Sequence, residues 1–352
     1  MGRRGKLLVA IALLGAVLLG ACGNDGGSGA ASNKSAKASG ANNPKVKLSL
    51  VGFAVSQAAN NAAQTEFAKT PEGKNTTWTD SYGASGDQSR AVAGGLKADY
   101  VHYSLEGDVT RLVTAGLVAD DWNKGTTKGI VTRSVVVIVT RKGNPKKITT
   151  WADLAKPGIS IVTPNPSSSG SARWNILAAY GSVLANGGTE NKAAEYLRGF
   201  FKNVASLPGS GRDATTAFLS GTGDVLISYE NEAILARQEG QDLDYLVPDT
   251  TLLIENPGAV TKAADPSATK WLEFVLSKAG QTEFVKKGFR PVIELTGVKV
   301  DKANDSANPF PAPSTKLQII ATDFGGWSAV NTKFFDATNG IVTKIQKESG
   351  KS

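Results

Sequence analysis

Three regimes of apolar and polar positions divide this chain. Leu7 to Leu19 is almost wholly apolar, residues 23–44 show no apolar period, and from Val46 onward strand-like and helix-like patterns alternate. Val46 to Phe53 (VKLSLVGF) alternates as a half-buried strand does. Ser56 to Lys69 suits a helix, Thr76 to Tyr82 reads as a strand, and Gly83-Ala84-Ser85-Gly86 turns into a helix running to Leu96. Ser85 followed three residues later by Gln88 predicts a capping box there. Asp99 to Tyr103 is a short strand, and Ser134 to Thr140 (SVVVIVT) is a β-branched run of the kind buried in a sheet. Ile159 to Thr163 is a strand that ends at Pro164-Asn165-Pro166, and a long helix starts near Gly170. Asp224 to Ser228 is a strand leading into a helix from Tyr229 to Gln238. Repeated strand–loop–helix units predict an α/β fold with mostly parallel sheets flanked by helices.

In such sheets ligands sit beyond the carboxyl ends of strands, on loops that open helices. Three loops fit: Tyr82 to Gly86, Pro164 to Arg173 (PNPSSSGSAR), and Pro208 to Arg212 (PGSGR) before a helix beginning near Asp213. Each is rich in Gly, Ser and Ala. A helix start has unpaired N–H groups and a partial positive charge. Gly lets the backbone approach a ligand, and Ser adds a hydroxyl donor. Taken singly, each loop is an ordinary capped turn. Three together would enclose a tetrahedral oxyanion with donors on several sides.

The first regime changes the compartment. Arg3, Arg4 and Lys6 precede an apolar run too short to span a bilayer, and Leu19-Gly20-Ala21-Cys22 follows, with small residues where a signal peptidase cuts. Cys22 is the only Cys in the chain. A lone thiol at that junction is the lipobox pattern. Residues 1–21 are therefore expected to be a lipoprotein signal peptide, and Cys22 the lipidated anchor that holds the protein on the outer side of the cell membrane. Residues 22–45, dominated by Gly, Ser, Ala, Asn and Lys, are expected to be a flexible tether. A coil of about 22 residues has an r.m.s. span of roughly 25 Å.

The formal net charge of +8 is spread along the chain without a block of like charges. Nucleic acid is therefore not an expected partner, and small anions are. His102 is the only His, so neither a metal site nor a Ser–His pair is expected. It follows a strand-like run, where a packed histidine is the ordinary reading. Ser85 lies in G-A-S-G-D, which lacks the final Gly of a nucleophile elbow. There is no phosphate-binding P-loop, and Glu230 and Glu232 differ by two residues and do not share a helix face. No enzyme and no cofactor are expected.

Five stretches occur in order: SYGASGDQSRAV (81–92), GLKAD (95–99), VTRKGNPKKITTWADLAKPGISIVTPNPSSSGSARWNILAAYG (139–181), GTGDVLISYENEAIL (221–235) and FGGW (324–327). With them the chain resembles the periplasmic sulfate-binding proteins of ATP-binding-cassette importers, over nearly all of residues 46–347. The resemblance implies a two-lobed periplasmic-binding-protein fold of type II, each lobe a mixed, mostly parallel sheet flanked by helices, with the ligand in the cleft between lobes. Residues 46–131 plus 255–352 are expected to form one lobe and residues 132–254 the other, with crossings near Ile130–Ser134 and Pro248–Ile254. It implies a monomer that captures sulfate and hands it to transmembrane permease subunits. Carried over residue by residue, it implies backbone donors at Ala54, Ser85, Gly170, Ser171 and Gly211, and a hydroxyl donor at Ser169. Three positions depart from the family pattern. Ser171 stands where the family often has Gly, the Ser/Gly order before Arg212 differs, and Tyr229, the seventh expected sulfate contact, replaces a Trp and so changes the donor itself.

Neutral donors would select sulfate, which carries no proton at neutral pH. Phosphate keeps at least one proton, and a donor-only site gives that proton no acceptor, at a cost of about 1–3 kcal/mol. Asp87 and Asp213 are expected to be first-turn dipole partners; either one pointing into the cleft would favour phosphate. Thiosulfate, another fully deprotonated dianion, molybdate and phosphate are the alternative ligands. A structural lipoprotein that binds no anion is the alternative of another class.

Overall fold

The computed structural model describes residues 45–351. The expected signal peptide, Cys22 and all of the tether but Lys45 lie outside the described residues.

The strands are β1 (Val46–Phe53), β2 (Thr76–Gly83), β3 (Tyr100–His102), β4 (Ile130–Arg141), β5 (Ile161–Val162), β6 (Val204–Ser206), β7 (Val225–Tyr229), β8 (Leu243–Leu246), β9 (Thr250–Val260) and β10 (Lys316–Gln318). The helices are α1 (Gln57–Phe67), α2 (Ser85–Ala93), α3 (Glu106–Thr114), α4 (Gly170–Ala185), α5 (Glu190–Asn203), α6 (Gly211–Leu219), α7 (Glu230–Gln238), α8 (Ser267–Leu276), α9 (Lys278–Lys286), α10 (Ile320–Asp323), α11 (Gly326–Phe335) and α12 (Ile341–Glu348). A 3-10 turn, Ala54–Ser56, links β1 to α1. No helix among the described residues is long and apolar enough to cross a membrane.

The strand order is β2-β1-β3-β9-β4-β7-β5-β6, with β10 on β9 and β8 on β4. The sheet is mixed and mostly parallel, as expected, with five parallel and four antiparallel strand pairings. One parallel group, β2-β1-β3, lies at one end and another, β7-β5-β6, at the other. Every antiparallel pairing involves β4 or β9, the strands that join the two groups. Both change partners midway. Strand β4 pairs with β9 from Ile130 to Val135, then with β7 from Val136 to Thr140. Strand β9 pairs with β10 through Thr250 to Leu252 and with β3 through Gly258 to Val260.

Apolar burial accounts for β4. Val136 and Ile138 enter the cluster that contains Trp174, while Val135, Val137 and Val139 enter the one that contains Phe218 and Leu226. Both faces are covered, so the sequence reads as a continuous apolar run. Each fully buried Val or Ile contributes about 1.5–3 kcal/mol. Helix α4 is buried around nearly its whole circumference over Gly170 to Ser182, which places it at the centre of the molecule.

Two local expectations need correction, and one strand went unread. Helix α2 ends at Ala93, short of Leu96. Its capping box does not form, because Ala84 is the N-cap and Ser85 already lies in the helix. The Ser85 hydroxyl donates to Asp108 (2.6 Å), and Gln88 accepts from the Ser81 hydroxyl (3.0 Å), so both side chains are committed elsewhere. Strand β9, unread in the sequence, carries Asn256 and Pro257 in its interior. Pro257 sits opposite Ile130 where the register slips, a place where a ladder tolerates a residue without an N–H.

Candidate anion-binding site

Helices α2, α4 and α6 begin at the three Gly/Ser loops. The first N–H groups of a helix have no partner inside it. At α2 the N-cap is Ala84, which has no side-chain acceptor. At α4 the N-cap Ser169 is extended (φ −100, ψ 122), and its hydroxyl caps no N–H of the helix. At α6 Ser210 accepts from the Asp213 N–H (3.1 Å), which leaves the Gly211 N–H uncapped by it. Ser85, Ser169, Gly170, Ser171 and Gly211 are all buried. Buried N–H groups need acceptors, and a bound anion supplies them.

These starts converge. The Gly86 N–H donates to Ser168 O (3.1 Å), tying α2 to the loop before α4. A Cβ placed on Gly170 would lie 2.6 Å from Ser104 Oγ, so that backbone packs directly on the segment after β3. One placed on Gly211 would lie 2.9 Å from Ser171 Oγ and 2.9 Å from Val55 Cγ2, which brings α6 onto both α4 and the turn that starts at Ala54. Ala54 itself is half-buried. Tyr229, at the end of β7, shares a hydrogen bond with Ser104 (OH to Oγ, 2.8 Å), and its ring centroid lies 6.4 Å from that of Phe53. All seven residues singled out in the sequence thus lie around one locus.

Ser104 is the residue that sequence reading missed. Its N–H donates to Ser85 Oγ (2.9 Å), and its carbonyl accepts from Trp174 Nε1 (3.0 Å) and Asn256 Nδ2 (3.1 Å). It therefore links the first residue of α2 to α4, β7 and β9. A buried chain continues from it: Asn256 accepts from Thr132, Thr132 contacts His102 Nε2 (3.1 Å), and His102 Nδ1 meets Asn60 Oδ1 (3.1 Å). Asn60 in turn donates to Ser56 (3.0 Å). Burial pushes His102 down to about 3, so it is neutral near pH 7. Burial also raises the Tyr229 phenol, with Ser104, Ser171 and Asn256 as opposing hydrogen-bond partners, so its proton stays on.

The nearby carboxylates are spoken for. Asp87 is exposed and pairs with Arg90, while exposed Asp213 bonds Ser210 (2.8 Å). Asp108, buried behind Ser85, takes the Ser85 hydroxyl and Arg111 (3.0 Å). The two glutamates point to different partners, Glu232 to Arg212 (2.7 Å) and Glu230 to Arg290 (2.7 Å). What faces the locus is an array of neutral N–H and O–H donors. No cluster of candidate metal ligands occurs among the described residues.

Residues 50–290 match the family described as bacterial extracellular solute-binding protein. A sulfate-binding protein of Synechococcus elongatus is 38% identical over 96% of this chain and 95% of its own. A thiosulfate-binding protein of Pseudomonas aeruginosa is 38% identical over 81% of this chain and 86% of its own. The solved structure of the sulfate-binding protein SubI from Mycobacterium tuberculosis H37Rv is 42% identical, covers 83% of this chain and 100% of that one, and superposes with a TM-score of 0.76. The two-lobed α/β fold expected from the resemblance is the fold of this chain. The chain therefore belongs to the bacterial extracellular solute-binding proteins, a family of transport receptors rather than enzymes.

Proposed function

We propose that this protein captures sulfate where α2, α4 and α6 begin and delivers it to the permease of an ATP-driven importer. One observation carries the reading: three helix starts with uncapped N–H groups meet, with the Ser169 hydroxyl beside them and no carboxylate among the seven residues. In this reading Ala54, Ser85, Gly170, Ser171 and Gly211 donate from the backbone, Ser169 from its hydroxyl, and Tyr229 from the cleft wall. Such donors stabilise a dianion without neutralising it. The sulfate-binding relatives support the same ligand. Thiosulfate is the second reading, favoured by the Pseudomonas relative.

Strands β4 and β9 serve as the two crossings, with residues 46–131 plus 255–352 as one lobe and 132–254 as the other. Cys22 carries the lipid, and the tether gives a monomeric receptor its reach. Titration calorimetry with sulfate tests the core of this: saturable one-site heat supports it, and no heat at any sulfate concentration overturns it. For the anchor, wild-type protein is expected in the membrane fraction and Cys22→Ala outside it; equal partition of the two contradicts lipidation.

A further inference from the structure

We propose that Arg173, with Arg111 and Arg90, forms an outer oxyanion subsite through which the anion passes on its way to the neutral donors. The inference rests on the anion-capture reading above. Arg173 lies in the first turn of α4, whose N-cap is Ser169, and both residues line one cavity. Its guanidinium is held by neutral groups: Nε donates to Pro166 O (3.2 Å), Nη1 to Asn331 Oδ1 (2.8 Å), and the group stacks over Phe335 at 4.7 Å. It makes no ion pair among the described residues. A cavity of about 70 Å³ lies beside it, bounded by Arg90, Arg111, Asp108, Ser169 and Trp327. Ser169 and Gly170 line this cavity and belong to the inner site, so the two are adjacent. Two carboxylates face three guanidiniums here: Asp87 is taken by Arg90, and Asp108 is divided between Arg111 and Ser85. Burial, with Arg111 and Arg90 acting in the same direction against Asp108, lowers the affinity of Arg173 for its proton. An anion in the cavity relieves that strain.

The chemistry supplies a reason for two stages. Neutral donors discriminate at contact but attract weakly from a distance. An uncompensated guanidinium at the mouth raises the local anion concentration and the association rate, in a salt-dependent way. Trp327 lines the cavity, and its ring centroid lies 4.7 Å from that of Trp174, so tryptophan fluorescence reports on it.

Stopped-flow fluorescence with sulfate, at low and high ionic strength, tests the proposal. Arg173→Gln is expected to lower the association rate about tenfold at low salt and to flatten its salt dependence. Arg173→Lys should recover part of the rate. An unchanged rate and slope in Arg173→Gln overturns the subsite. If Arg173→Gln does not fold, Arg90→Gln, on an exposed side chain, carries the test: a smaller drop with a reduced slope supports the subsite, and none overturns it. Calorimetry on the wild type separates the two ideas. No sulfate heat removes the binding reading and this proposal with it, whereas normal heat with unaltered variant rates removes this proposal alone.

Discussion

Ser171 and Gly211 compete for one small volume. A Cβ on Gly211 would meet Ser171 Oγ at 2.9 Å and Val55 at 2.9 Å. The hydroxymethyl group at 171, where the family often has no side chain, thus fits because 211 has none. Gly211→Ala is expected to weaken sulfate binding by about 1–3 kcal/mol, as overpacking does. Adding Ser171→Gly should recover much of the loss, and strict additivity in a double-mutant cycle would contradict the shared volume. Ser169→Ala should cost about 1.5–3 kcal/mol of binding, the range for hydrogen bonds to charged groups, while leaving α4 intact because that hydroxyl caps nothing. Tyr229→Phe strands the Ser104 hydroxyl as well as removing a donor, so both sulfate affinity and stability should fall by about 1 kcal/mol. Ser85, Ser169 and Gly211 were legible because a Gly/Ser loop before a helix is a local signal. Ser104 and Asp108 were not, since their partners at Tyr229 and Ser85 lie 125 and 23 residues away and leave no spacing to read.

Among the elements, strands with clean alternation or unbroken β-branched runs, β1 and β4, were readable, as were the starts of α4, α6 and α7. Strand β9 was hidden by Pro257, tolerable only because β4 slips register opposite it. The end of α2 was misplaced because Gly94-Gly95 stops the helix before Leu96, with Gly95 at φ +108. Four elements, α1, β3, β4 and β9, are stitched by the chain from Ser56 through Asn60, His102, Thr132 and Asn256. Burial lowers His102 to about 3, below the unfolded value of about 6.5. Its contribution to stability is therefore complete above pH ~6.5 and is lost as pH falls toward ~3, at up to about 1.4 kcal/mol per pH unit. Urea unfolding of wild type and His102→Gln through that window checks this, and the variant should show the flatter decline. Glu230 and Glu232, both raised by burial, act in the opposite sense but equally in the two proteins. Parallel pH profiles would show that His102 is not held neutral.

At the scale of the molecule, two strands join two parallel groups, and the proposed donors come from both: Ala54 and Ser85 from the side of β1 and β2, Ser169 to Ser171 and Gly211 from the side of β5 and β6. An anion that needs all of them draws the sides together. Small-angle scattering should show compaction at saturating sulfate, and an unchanged profile would argue against a hinge. Selectivity is also a property of the whole arrangement, because it depends on no carboxylate entering from either side. The most direct test is calorimetry with sulfate and phosphate in parallel, on either side of neutral pH. Tight, pH-independent sulfate binding is expected, with phosphate weaker by about 1–3 kcal/mol or more because its proton finds no acceptor. Phosphate binding as tight as sulfate, or tighter, would contradict a site built from donors alone.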